Sequence, residues 1–98
     1  MNVSIIIPTY NEKENIVVLT DQLIDIFNNS SHNLKIIVVD DNSHDGTSSI
    51  VKQLNSYGKS VFLITRESKL GLGSAYQAGY NWCIENNSDC IIQMDSDL

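Results

Sequence analysis

Cysteine is nearly absent from this sequence: Cys83 and Cys90 are the only two, they form no CxxC pair, and their spacing calls for neither zinc nor a disulfide framework. Such usage suits a reducing compartment, with both thiols acting as small core residues. Positive charge is equally scarce. Six Lys and Arg stand against twelve Asp and Glu, and the resulting formal charge of -6 repels a phosphate backbone, so nucleic acid is not an expected partner. Long apolar runs are missing as well. Val3 to Ile7 and Lys35 to Val39 are strand-length, far below the roughly 18 to 20 residues that span a bilayer. No charged leader with a long apolar stretch precedes Val3, so no signal peptide is expected. With 98 residues the chain is expected to make one small domain over residues 1–98.

What is present alternates between two periodicities, the pattern of an α/β fold with a parallel sheet. Val3 to Ile7 is a branched run expected to stop at Pro8, which cannot donate to a ladder. From about Glu12 to Asn28, Ile16, Leu19, Leu23, Ile26 and Phe27 recur at helical spacing, and Asn11 with Glu14 fits a variant capping box. Lys35 to Val39 reads as a second strand, Thr47 to Tyr57 as a helix with Ile50, Val51 and Leu54 inward and Gly58 ending it, and Ser60 to Thr65 as a third strand. A loop from Arg66 to Gly73 precedes a helix over Ser74 to Asn86, with Tyr76, Tyr80 and Ile84 on one face, and Cys90 to Met94 closes the set as a fourth strand. Three right-handed crossovers then imply a Rossmann-like three-layer sandwich with strand order 3-2-1-4 and helices on both faces.

In such sheets ligands bind beyond the carboxyl ends of the strands, beside the point where strand order reverses. Every unusual polar cluster falls on that rim. Asp95-Ser96-Asp97 follows the fourth strand, and in extended backbone its two carboxylates project to one side, where they can meet a hard divalent cation shared with a diphosphate. The plainer reading of a bare DxD is a helix cap. Asp41, ending the second strand, is placed to accept hydrogen bonds from a ribose or base edge, while Asp45 or Thr47 is better placed to cap the following helix. Gly71-Leu72-Gly73 fails as a dinucleotide fingerprint, because it follows the third strand and position 76 is Tyr. His32 and His44 lie in polar turns with no ligand partners at suitable spacing, and no Ser, Cys or His arrangement suggests a covalent nucleophile.

Read in order, four segments carry a resemblance: Val3 to Glu12 with Asn15; Val38 to Thr47; Gly71 to Tyr76 with Gly79; and Met94 to Leu98. Together they resemble the family-two glycosyltransferases, within them most closely the dolichol-phosphate mannosyltransferases and related polyprenol-phosphate sugar synthases. His44 stands where that family often has Pro, and Ser96 where it often has Ala. The resemblance implies a GT-A fold that takes a sugar, GDP-mannose first and a UDP-sugar second, to a polyprenyl phosphate acceptor with inversion. It places Pro8, Tyr10, Glu12, Val39 and Asp41 around the nucleoside and Asp95, Ser96 and Asp97 at the diphosphate. Asp95 and Asp97 would be the catalytic carboxylates, holding Mg2+ or Mn2+.

The resemblance also implies a location in the cytoplasm or on the cytoplasmic face of a membrane. The family's catalytic domain is longer than this chain, so residues 1–98 are expected to be its nucleotide-binding part, with possible self-association through uncovered surface. Two competing readings are a receiver-like regulatory domain, suggested by Asp40-Asp41 and Asp95, and an inactive nucleotide-binding remnant. In receivers, however, the acidic pair ends the first strand.

Overall fold

The computed structural model describes residues 1–67 and 71–96. These fold into β1 (Asn2–Thr9), α1 (Lys13–Asn28), β2 (Asn33–Asp40), α2 (Thr47–Ser56), β3 (Val61–Thr65), α3 (Leu72–Glu85) and β4 (Cys90–Gln93). All pairings are parallel and the order is β3-β2-β1-β4, as the alternation of periodicities implies. That order differs from the 2-1-3-4-5 arrangement of flavodoxin-like receivers, which removes the receiver reading.

Alternation along the central strands builds two cores. Ile5, Ile7, Ile36 and Val38 face α1 and α2, meeting Ile16, Leu19, Leu23 and Val51, while Ile6, Ile37 and Val39 face α3. Being covered on both sides, β1 and β2 read as unbroken branched runs rather than alternating ones. The register aligns Ile5 with Ile36, Ile7 with Val38 and Thr9 with Asp40, so the polar strand ends lie side by side.

The structure corrects several boundaries. β1 continues through Pro8 to Thr9. Odd-numbered residues of β1 bond toward β2, as the amide of Asp41 donating to the Thr9 carbonyl shows, and even-numbered ones toward β4. Pro8 therefore turns its missing N–H toward β4, where the Met94 amide still donates to the Ile6 carbonyl but Pro8 can return no bond, so the β1–β4 pairing ends there while the β1–β2 ladder stays whole. The Asn11–Glu14 capping box does not form: Glu12 is the N-cap of α1 without a side-chain cap bond, and Asn11 adopts a left-handed φ of 55°. The amides of Glu12 and Lys13 instead donate to Thr47 Oγ1 and Asp45 Oδ2, from the β2–α2 connection.

α2 ends as expected. Its last turn closes with the amides of Gly58 and Lys59 donating to the carbonyls of Asn55 and Leu54, around Gly58 at φ 80°. α3 starts at Leu72, two residues before the expected Ser74, which draws Gly73 into the helix.

Two apolar residues of the helical patterns are not buried. Ile26 and Ile84 are 65% and 70% exposed. On α3 the buried stripe is Ala75, Gly79 and Cys83, with Tyr76 and Tyr80 only half-buried at its flank. Small residues win this face because the helix lies directly on β1: a Cβ added to Gly79 would sit 2.5 Å from Ile6 Cγ2. Cys83 is fully buried and Cys90 half-buried, both as free thiols. No helix among the described residues is long and apolar enough to cross a membrane.

This close approach predicts that Gly79→Ala destabilises the fold. Overpacking costs about 1–3 kcal/mol, against a gain in helix propensity of roughly 1 kcal/mol. Thermal denaturation should show a lower midpoint for Gly79→Ala, whereas an unchanged or raised midpoint would mean that α3 can lift from the sheet freely.

Candidate functional site

The carboxyl ends of β1, β2 and β4 gather the polar residues that the core excludes. Asp40 and Asp41 are consecutive and therefore point to opposite faces of the sheet. Asp40, on the α1–α2 side, is fully buried. Its Oδ1 accepts from Thr9 Oγ1 at 2.7 Å and Ser43 Oγ at 2.5 Å; its Oδ2 accepts from the Ser43 amide at 3.0 Å and Ser48 Oγ at 2.9 Å. A carboxylate offers about four lone-pair positions, so Asp40 has none left for a ligand.

Asp41 lies on the α3 side and is used differently. Arg66 approaches it as a fork, with Nε donating to Oδ1 at 2.6 Å and Nη2 to Oδ2 at 2.8 Å. Each oxygen thus keeps an acceptor position. The Asp41 hydrogen bonds, with its charge adding to them, outweigh burial and raise the guanidinium pKa above its ordinary value. Beside Asp41, a cleft of about 130 Å³ is lined by Pro8, Tyr10, Gly71, Leu72 and Ala75. It is bounded by apolar ring and chain surfaces with a carboxylate on one wall.

On the same side, Asp95 follows β4 and is exposed. Its Oδ1 accepts a long hydrogen bond, 3.4 Å, from the Tyr76 hydroxyl on α3. Burial, with the neighbouring negative charge of Asp95, pushes the Tyr76 phenol up, so the hydroxyl stays protonated and donates. An exposed carboxylate with most of its acceptor capacity open is a suitable hard donor for a divalent cation. Among the described residues no group of three or more His, Cys, Asp or Glu side chains is placed to hold a metal ion.

The structure therefore brings together Pro8, Tyr10 and Asp41 at one cleft, with Asp95 and the buried Ser96 at the end of β4. Glu12 stands apart. It accepts from Asn15 Nδ2 and lines a second groove of about 230 Å³ with Asn11, Lys13 and Asp45. Val39 is buried beneath the rim in the α3-side core. Asp97 lies outside the described residues. A larger groove of about 380 Å³ sits at the opposite, amino-terminal ends of the strands and carries no carboxylate.

Sequence reading missed Arg66, and the one signal available was a cation directly after the third strand, on the rim where every other notable residue is acidic. It also missed that Asp40 would be saturated.

Asp45, expected to cap α2, serves both helices. Its carboxylate accepts from the Thr47 hydroxyl and amide at the start of α2 and from the Lys13 amide at the start of α1. Desolvation raises its pKa, but the Thr47 and Lys13 hydrogen bonds together outweigh it and leave the carboxyl below its ordinary value. A depressed folded-state pKa contributes stability that is present above the unfolded value and lost as pH falls through the folded one. Asp45→Ala should therefore cost about 1 kcal/mol at pH 7, and the gap to the parent should close as pH drops below about 4. Denaturant melts across pH check this, and a gap independent of pH would contradict it.

Comparison with known proteins places these residues in context. A profile described as glycosyl transferase family 2 matches residues 4–98. The polyprenol monophosphomannose synthase of Mycolicibacterium smegmatis is 36% identical over 94 residues, covering 95% of this chain and 34% of that protein. The undecaprenyl-phosphate mannosyltransferase of Micrococcus luteus is 39% identical over 97 residues, covering 99% of this chain and 38% of that protein. Among solved structures, a mannosyltransferase from Pyrobaculum calidifontis in complex with GDP-Man and Mn2+ superposes with a TM-score of 0.71 at 24% identity, over 97% of this chain and 27% of that one, a likeness of fold. The chain thus spans a little over a third of the length of the curated relatives it matches.

Proposed function

The chain belongs to glycosyl transferase family 2, and on that premise we propose that its carboxyl rim binds a nucleotide diphosphate sugar for transfer to a polyprenyl phosphate. The observation that carries this reading is the placement of the Pro8–Tyr10–Asp41 cleft on the same face as the exposed Asp95, beside the point where strand order reverses between β1 and β4. Likeness to two enzymes named for joining mannose to polyprenyl phosphates supports mannose as the sugar, and we propose GDP-mannose as the donor with a UDP-sugar as the second candidate.

In this scheme Pro8 and Tyr10 pack against the nucleoside, and Asp41 accepts from its hydroxyl or N–H donors. Val39 supports that pocket from below the rim, while Glu12 lines the separate groove at the start of α1. Ser96 lies at the diphosphate, and Asp95 with Asp97 would hold Mg2+ or Mn2+. The cation would supply Lewis-acid stabilisation of the charge that grows on the departing diphosphate. The apolar walls of the cleft would lower the polarity around charged contacts made with a bound nucleoside. A lipid phosphate is already anionic near neutral pH, so its attack on the sugar C1 needs no strong base, and a single displacement inverts the anomeric carbon.

Calorimetry with GDP and UDP tests the reading. Affinity should be higher with Mn2+ than with chelator. Asp41→Asn should weaken binding on the order of tenfold or more, the loss of a charged hydrogen bond, while leaving the metal dependence in place. Asp97→Asn should remove the metal dependence instead. Equal affinity with and without metal would contradict the role given to Asp95 and Asp97, and identical behaviour of the two variants would contradict the division between nucleoside and metal sites.

A further inference from the structure

Arg66 follows β3 and is anchored there by its own amide, which donates to the Asp40 carbonyl at 2.9 Å. Its side chain is largely buried and makes the one ion pair found among the described residues. Four of its five N–H donors are already spent: Nε and one Nη2 hydrogen on Asp41, Nη1 on Ser74 Oγ at 2.6 Å, and the other Nη2 hydrogen on the Gly71 carbonyl at 3.3 Å. Gly71 lines the cleft, and both Gly71 and Ser74 belong to the start of α3. The guanidinium therefore joins one wall of the cleft, Asp41, to the other, the first turn of α3.

We propose that Arg66 is a positioning residue for nucleoside recognition, clamping the Asp41 carboxylate in one orientation and fixing the α3 wall of the cleft at a set distance from it. This rests on the nucleotide-binding reading above and names the group that sets the geometry of that site. The fork takes one acceptor position from each Asp41 oxygen and leaves the remaining positions in a fixed plane. An unclamped aspartate would rotate about its side-chain torsions and lose rotamer freedom when the nucleoside bound. A planar fork also explains why a lysine would not substitute, since its ammonium is a point donor without the bidentate geometry. With four of its five donors consumed by protein atoms, Arg66 is assigned to work through Asp41 and α3 rather than by direct contact with the diphosphate.

The test uses the whole chain, isothermal calorimetry, and three probes: GDP with Mn2+, UDP with Mn2+, and inorganic pyrophosphate with Mn2+. Arg66→Gln and Arg66→Lys should each weaken whichever nucleotide binds on the order of tenfold and leave pyrophosphate affinity within twofold of the parent. In the Asp41→Asn background, Arg66→Gln should add at most about a threefold loss, because one of the two walls through which it acts has already been altered. Arg66→Lys retains the charge and keeps the test available should Arg66→Gln unfold the chain.

Weakened pyrophosphate binding, or losses that multiply fully in the double variant, would overturn the positioning role in favour of direct ligand contact. Unchanged nucleotide affinity in folded Arg66→Lys would overturn it outright. If the parent chain binds pyrophosphate or nothing, with no gain from the nucleoside, the nucleotide-binding reading itself falls, and Arg66 falls with it as a consequence rather than a cause.

Discussion

The buried carboxylate of Asp40 is the interaction on which the rim depends. It receives donors from the end of β1, from the turn after β2 and from the first turn of α2, two on each oxygen. The Thr9 hydroxyl is buried, and a buried donor stranded without its acceptor costs about 1–3 kcal/mol, a sizeable share of the roughly 5–15 kcal/mol by which a domain is stable. The two βα connections are consequently held as one unit. Asn11 donates its amide to Ser43 Oγ and accepts from the His44 amide, and Asp45 bridges the starts of α1 and α2.

From that anchorage follows a division of labour set by the two-residue period of a strand. Asp40 and Thr9 turn to the α1–α2 side and are consumed by structure, while Asp41 and Asp95 turn to the α3 side, where acceptor capacity remains open. α3 completes the arrangement from the opposite wall. Its small-residue stripe lets it lie against Ile6, and this closeness brings Leu72 and Ala75 to the cleft and Tyr76 to Asp95.

Much of this was legible in the sequence, because it rests on local patterns. Branched runs marked the buried strands, helical spacing marked α1 and α2, and the acidic pairs after strands two and four marked the rim. What escaped has a physical explanation in each case. Pro8 stays in β1 because its missing donor turns toward β4 and leaves the β1–β2 ladder whole, which no property of β1 alone reveals. Periodicity groups Ile84 with Tyr76 and Tyr80 on one face of α3, yet the small stripe Ala75–Gly79–Cys83 takes the sheet-facing side. The clamp between Arg66 and Asp41 joins residues 25 positions apart and has no local signature. Asp97, the second half of the DxD, lies outside the described residues, so its assignment rests on the resemblance and on the placement of Asp95.

On the proposed function, a divalent cation and a nucleotide diphosphate meet at the carboxyl ends of β1, β2 and β4. Paramagnetic broadening by Mn2+ in the presence of GDP or UDP, read from amide NMR signals of the isotopically labelled chain, tests it most directly. Broadening should be strongest at Met94 to Ser96, with α3 residues near Tyr76 next and the amino-end groove around Phe27, Leu34 and Gly58 left sharp. Broadening centred on that groove, or spread evenly over the acidic surface, would contradict it.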